Sequence, residues 1–164
     1  MTRPMAHRPD PALDLVLERV VDVPPALVWA AWTRPELLKQ WYTPKPWQTT
    51  DCEIDLRPGG IFRTVMRAPE GQVVENKGCW LEIVENEKLV WTGALGPGYR
   101  PREKPPGSFL MSVVITLEPQ GSATKYTALV VHGDEAACRM HAQMGFHEGW
   151  GKALEQLVQV AKTI

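Results

Sequence analysis

The stretch Met144-Gly-Phe-His-Glu-Gly-Trp-Gly-Lys-Ala-Leu-Glu-Gln-Leu-Val-Gln-Val-Ala-Lys-Thr-Ile164 decides the fold. Phe146, Trp150, Leu154, Leu157, Val158, Ala161 and Ile164 recur at helical spacing and give one apolar face. His147, Glu148, Lys152, Glu155, Gln156 and Gln159 take the other face, with Glu148 four residues before Lys152, the spacing of a helical ion pair. An amphipathic helix of this length must be covered by something large and apolar. Gly145, Gly149 and Gly151 interrupt its first turns, where each costs about 1 kcal/mol relative to alanine. A helix carrying that cost needs close packing, a bend, or a space held open beside it. The space is the favoured reading, and it points to a module that holds a ligand.

Outward from that helix, the chain is mostly strands. Residues 13–23 alternate, with Leu13, Leu15, Leu17, Val21 and Val23 on one face. Pro24-Pro25 ends the strand and opens a short helix over 26–32. Thr33 reads as the N-cap of a second short helix, with Pro35 in its first turn, Glu36 three residues after the cap, and Leu37, Leu38 and Trp41 following. Residues 48–56, 61–67, 73–84, 88–94, 109–117 and 124–132 read as further strands, separated by turn signals at 58–60, 69–71, 85–87 and 119–122. Residues 96–107 are too rich in proline and glycine for a strand and suit a lid, a rim or a surface loop. Asp134 is a sound N-cap for a helix over 135–144. This order predicts an α+β helix-grip fold: a curved, mostly antiparallel sheet of about six to seven strands wrapped around a long C-terminal helix, with two short helices after the first strand. Residues 1–12, with three prolines, read as a flexible N-terminal tail, and 13–164 as a single domain.

Composition narrows the function classes. Eighteen Lys+Arg against nineteen Asp+Glu leave a formal charge of -1 and no basic face with which to displace the counterions of a nucleic acid. Seven tryptophans supply flat area that fills cavities or stacks on planar ligands. Cys52, Cys79 and Cys138 are odd in number and scattered, which suits small buried apolar residues better than disulfides or zinc ligands. The first residues lack the apolar core of a signal peptide, and no stretch is long enough to span a membrane, so the cytoplasm is the expected compartment.

Five separated blocks carry a resemblance. Val23-Pro-Pro-Ala-Leu-Val-Trp-Ala-Ala-Trp-Thr-Arg-Pro-Glu-Leu-Leu-Lys-Gln-Trp41 resembles the opening of the Hsp90-ATPase-activator-like family. Asp55-Leu-Arg-Pro-Gly-Gly60, Gly78-Cys-Trp-Leu-Glu-Ile-Val84, Lys88-Leu-Val-Trp-Thr92 and Met144-Gly-Phe-His-Glu-Gly-Trp150 resemble its later blocks in the same order. The resemblance spans roughly residues 13–161 and implies the START/Bet v 1-like superfamily, whose members wrap a curved sheet around a long C-terminal helix over a deep cavity. It implies apolar-ligand binding more than any one reaction, because fold does not decide function. The eukaryotic co-chaperone behind the family name has an additional Hsp90-binding domain, for which this length leaves no room.

The expected cavity is lined from the sheet by Phe62, Met66, Leu81, Ile83, Leu89, Trp91, Met111 and Val113, and from the helix by Met144, Phe146 and Trp150, with Trp41 and Trp47 closing one end. His132 shares strand parity with Tyr126, Ala128 and Val130 and is the candidate inward polar group, although a satisfied structural histidine near a strand end is the favoured reading. A metal site from His132, His141, His147 and Glu148 is disfavoured by its spacing; His141 and His147 suit solvated helix positions better. Glu53 and Asp55 are expected to face water, and Arg63 and Arg67 the convex side. No nucleophile motif or phosphate loop is present. The first expectation is therefore a cofactor-free, metal-free protein that binds a small hydrophobic or aromatic molecule. A chaperone-associated protein-binding module is the second. An enzyme of the cyclase, dehydratase or hydrolase kind, with His132 or Tyr126 as acid or base, is the third. No nucleic-acid or membrane partner is expected, and both monomer and homodimer suit the sequence.

Overall fold

The computed structural model describes residues 8–164. The first seven positions of the expected tail lie outside that range. Within it, Asp10 accepts a hydrogen bond from the Ala12 amide (2.9 Å) and leads into β1 (Asp14–Val21). Then come α1 (Pro25–Thr33) and α2 (Pro35–Leu38), followed by β2 (Gln48–Ile54), β3 (Ile61–Arg67), β4 (Val73–Val84) and β5 (Lys88–Thr92). Two-residue strands β6 (Leu95–Gly96) and β7 (Arg100–Pro101) precede β8 (Met111–Gln120) and β9 (Ala123–His132), and α3 (Glu135–Gln143) and α4 (Phe146–Ala161) end the chain.

The main sheet has seven strands in the order β1-β9-β8-β5-β4-β3-β2, every pair antiparallel. The first strand thus pairs with the last, from Asp14 opposite Val131 to Val21 opposite Thr124. β1 and β2 are the two edges, so α1 and α2 must carry the chain from one edge to the other. Leu154, Leu157, Val160 and Ala161 of α4 join Leu17, Val28, Trp32, Ile115 and Val130 in one core. This is the expected helix-grip arrangement.

Three local expectations give way. Thr33 is the last residue of α1 rather than a cap; its hydroxyl donates to the Trp29 carbonyl (2.8 Å), and Arg34 occupies the N-cap of α2. Its side chain is thereby committed to the preceding turn. Residues 96–107 do contain pairing, because Gly98, at φ 74, folds β6 back on β7. The Arg102 guanidinium then ties that loop to the Gly93 and Lys77 carbonyls. Lys152 leaves Glu148 and donates instead to the Lys45 carbonyl (2.7 Å).

The three helix glycines take three different roles. Gly145 is outside α4, in the left-handed region at φ 87, and turns α3 into α4. Gly151 lies beneath the Arg19 guanidinium, where a Cβ would sit 2.6 Å from Nη2. Gly149 has only the Pro44 ring nearby, 4.0 Å from where a Cβ would be, and it borders an open space.

Candidate functional site

A cavity of about 300 Å³ lies between the sheet and the first turns of α4. One wall begins with α1 and the segment that follows α2. Trp32 and Trp41 meet edge to face with centroids 5.0 Å apart, and Tyr42 contacts both at 5.8 and 5.6 Å. The chain of rings continues from Tyr42 to Phe62 (5.8 Å), which stacks on Trp80 (4.5 Å) and meets Trp91 edge-on (5.0 Å). Such contacts add about 0.5–1.5 kcal/mol each beyond burial and hold the rings in fixed orientations. The opposite wall is His141, Met144, Phe146 and Trp150, with Gly149 leaving the gap between them.

Polar groups pin this wall in place. Trp41 Nε1 donates to the Ala31 carbonyl (2.9 Å), and Trp32 Nε1 donates to the Tyr126 hydroxyl (3.1 Å). From α4, Gln156 Nε2 donates to the carbonyls of Trp41 (2.9 Å) and Thr43 (3.0 Å), while its Oε1 accepts from the Lys45 amide (3.0 Å). Gln156 therefore staples the segment carrying Trp41 and Tyr42 to the helix from its polar face. Burial raises the pKa of both Tyr42 and Tyr126, so these phenols stay protonated and serve as neutral donors or acceptors.

Of the expected lining, Trp41, Met66, Met111, Met144, Phe146 and Trp150 border the cavity. Phe62, Trp91 and Met111 border an adjoining cleft of about 150 Å³, which shares Tyr42, Asn76 and Met111 with the first and is rimmed by Pro105, Ser108, Phe109 and Leu110. Val113 and Leu89 are wholly packed in the core, and Ile83 packs against it. Leu81 is a correction. Pairing slips between Trp80 and Glu82, so Leu81 is the extra residue of a β-bulge and Trp80 takes the buried position. Trp47 is half-buried, follows a cis Lys45–Pro46 bond, and borders neither space.

His132 does not line this cavity and matches instead the satisfied structural histidine expected near a strand end. It is buried, and both ring nitrogens are taken: Nδ1 bonds the Leu13 carbonyl (2.8 Å), and Nε2 bonds His141 Nδ1 (3.0 Å). It borders a separate outer groove of about 440 Å³ beside Phe109 and Met140. The histidine that reaches the helix–sheet cavity is His141, expected to be solvated yet only 7% exposed. Phe109 (4.8 Å), Phe146 (5.2 Å) and Trp150 (6.1 Å) surround its ring. Burial, and secondly His132, lower its pKa to about 4. His147 behaves closer to expectation, at the surface with Nε2 3.2 Å from the Val16 carbonyl. Among the described residues no group of three or more His, Cys, Asp or Glu side chains could hold a metal.

Sequence reading missed Trp32, Tyr42 and His141 as cavity groups. Trp32 and Tyr42 sit on a helical connection whose placement across the sheet is set by edge-to-edge topology, and no local period reports that. On the convex side Arg63 bridges Asp51 (2.9 Å) and Glu75 (3.0 Å) as expected, and its hydrogen bond lowers the Asp51 pKa. Cys52, Cys79 and Cys138 are unpaired, and burial pushes the Cys52 thiol up to about 11, far from reactive. Among the described residues no helix is long and apolar enough to cross a membrane.

Comparison with known proteins agrees with this architecture. The family model described as Activator of Hsp90 ATPase homolog 1-like protein matches residues 22–162. A protein of known crystal structure from Nitrosomonas europaea is 48% identical, with a TM-score of 0.89 over 94% of this chain and 97% of its own. One from Chromobacterium violaceum is 25% identical, with a TM-score of 0.74 over 90% and 96%. An AHSA1-like protein from Aeromonas hydrophila, 16% identical, shares the fold with a TM-score of 0.67 over 92% and 93%. Among curated proteins none matches.

Proposed function

The chain belongs to the Activator of Hsp90 ATPase homolog 1-like family, with the START/Bet v 1-like fold, and on that premise we propose that it binds a small hydrophobic or aromatic molecule between its sheet and its C-terminal helix. The observation that carries the reading is the cavity of about 300 Å³, walled by Trp32, Trp41, Phe146 and Trp150 and flanked by Met66, Met111 and Met144. The cavity opens to the surface past Met144 and Asn76, which gives a guest a way in. It has the size of about ten waters and a mostly apolar lining, which is how small-molecule sites are built. Rigid indoles offer stacking faces, while the methionines adapt to the outline of a guest.

The protein-docking alternative draws less support. The large apolar side chains left exposed among the described residues fall in several places: Val20 on β1, Val73, Val74 and Val84 on β4, Tyr99, the pair Met140 and Met144 one turn apart at the end of α3, and Ile164. An acid–base role for His132 is also weakened, because its neighbours occupy both nitrogens.

Native mass spectrometry of freshly purified protein, beside the same sample denatured, tests the proposal. The expected result is a small apolar molecule that is lost on denaturation, or uptake of naphthalene-sized aromatics with quenching of tryptophan fluorescence. A bare protein whose tryptophans ignore such aromatics overturns it.

A further inference from the structure

The cavity's other polar lining is Asn76 and the Tyr42 and Tyr126 phenols, and the geometry around His141 adds an acceptor to them. The Leu13 carbonyl can only accept, so His132 Nδ1 carries the proton in their 2.8 Å bond. When that is the only ring proton, His132 presents a bare Nε2, and that atom can only accept from His141 Nδ1, 3.0 Å away. His141 therefore holds its proton on Nδ1, and its Nε2 is left as a bare lone pair with no partner among the described residues. The residue is more than nine-tenths buried, its ring is boxed in by Phe109, Phe146 and Trp150, and it borders the cavity. The buried unpartnered side-chain nitrogens among the described residues are Trp80 Nε1 and Trp91 Nε1, so His141 Nε2 stays accessible, and a guest's donor can take the place of water on it.

We infer that His141 Nε2 is the cavity's polar anchor, and that the site selects neutral aromatic molecules carrying a hydroxyl or ring N–H group directed at that atom. The inference rests on the ligand-binding reading above and sharpens its substrate class. The chain of bonds from the Leu13 carbonyl through His132 makes His132 the positioning residue, which sets the tautomer without touching the guest.

The test compares three probes, 2-naphthol, 2-methoxynaphthalene and naphthalene, by isothermal titration with the full chain and with His141→Phe. Only 2-naphthol has a donor. The expected result is that the wild-type protein binds 2-naphthol about threefold to tenfold more tightly than 2-methoxynaphthalene, the range of one neutral hydrogen bond. His141→Phe should erase that preference while still binding naphthalene. Equal affinities for the two substituted probes in the wild type, or a preference that survives His141→Phe, overturn the anchor and leave the cavity reading intact. Binding of none of the three overturns both. Nitrogen-15 spectra of the wild-type imidazoles check the same point without a variant. His141 must show an unprotonated Nε2 that shifts with 2-naphthol while Nδ1 stays put; a proton already on Nε2 in the free protein overturns the assignment.

Discussion

The two halves of α4 follow one amphipathic pattern and do opposite things. In the second half, Leu157 and Ala161 are wholly buried and Leu154 nearly so, joined to the core of the sheet. In the first half, Gly149 and Trp150 border a cavity lined across from them by Trp32, Trp41, Tyr42, Met66 and Met111. The difference teaches that a helix–sheet interface can be sealed at one end and held open at the other when the open end is walled by rings. Rings locked edge-on to one another, as Trp32, Trp41 and Tyr42 are, cannot collapse into the gap as aliphatic chains would.

The largest expected effect lies in the sealed half. Leu157→Ala should destabilise the protein by roughly 3 to 5 kcal/mol, the range of a core cavity that relaxes little, as read by urea denaturation. An effect under about 1 kcal/mol would mean that this half is as loosely packed as the other.

Next comes the pH response of the open half. The His141 pKa falls from 6.5 unfolded to about 4 folded, so the unfolded chain binds the extra proton between those values and stability rises with pH there. Its contribution is fully present above about pH 6.5 and is lost as pH falls through about 4. The full difference is on the order of 3 kcal/mol. Denaturant melts across that window should show the loss in the wild type and a flatter profile in His141→Phe; parallel profiles would place the dependence elsewhere.

A smaller effect belongs to the staple between α4 and the segment carrying Trp41 and Tyr42. Gln156→Ala removes the two donors to the Trp41 and Thr43 carbonyls and the acceptor of the Lys45 amide at a half-buried position, and should cost about 1 to 2 kcal/mol. Hydrogen exchange at residues 41–45 should speed up while that of β8 and β9 stays slow. Unchanged exchange at 41–45 would show that the aromatic wall stands without the helix.

Gly149→Ala should have the smallest effect and the opposite sign. Its Cβ meets nothing closer than the Pro44 ring at 4.0 Å, so the change should stabilise by about 1 kcal/mol, the helix propensity gain, while narrowing the cavity. Gly149→Leu extends the comparison: it should fill the space and abolish uptake of aromatic probes without unfolding the protein. Destabilisation by the alanine would mean that the gap is already closed.

Much of this was legible in the residues. Strands over Ile61–Arg67 and Val73–Val84 follow directly from alternation and turn residues, and the Asp134 cap follows from its side chain, which accepts from the Ala137 amide at 2.8 Å. The site was only partly legible. Phe146, Trp150 and Met111 were found because their periodicity marks the face they occupy. Leu81 misled because a bulge interrupts the period, and bulges leave no mark in alternation until the partner strand is known.

The sequence by itself determined the element order, the antiparallel helix-grip class and the identity of the covering helix, because those depend on local periods of two and 3.6 residues that each segment carries alone. Tertiary structure alone decided which glycine bends, which packs and which leaves room. It alone also brought together His132 and His141, from a strand end and a helix, with the Leu13 carbonyl more than a hundred positions earlier in the chain. A histidine's role depends on what stands at each ring nitrogen. Those partners arrive only when the first strand pairs with the last and the chain closes on itself.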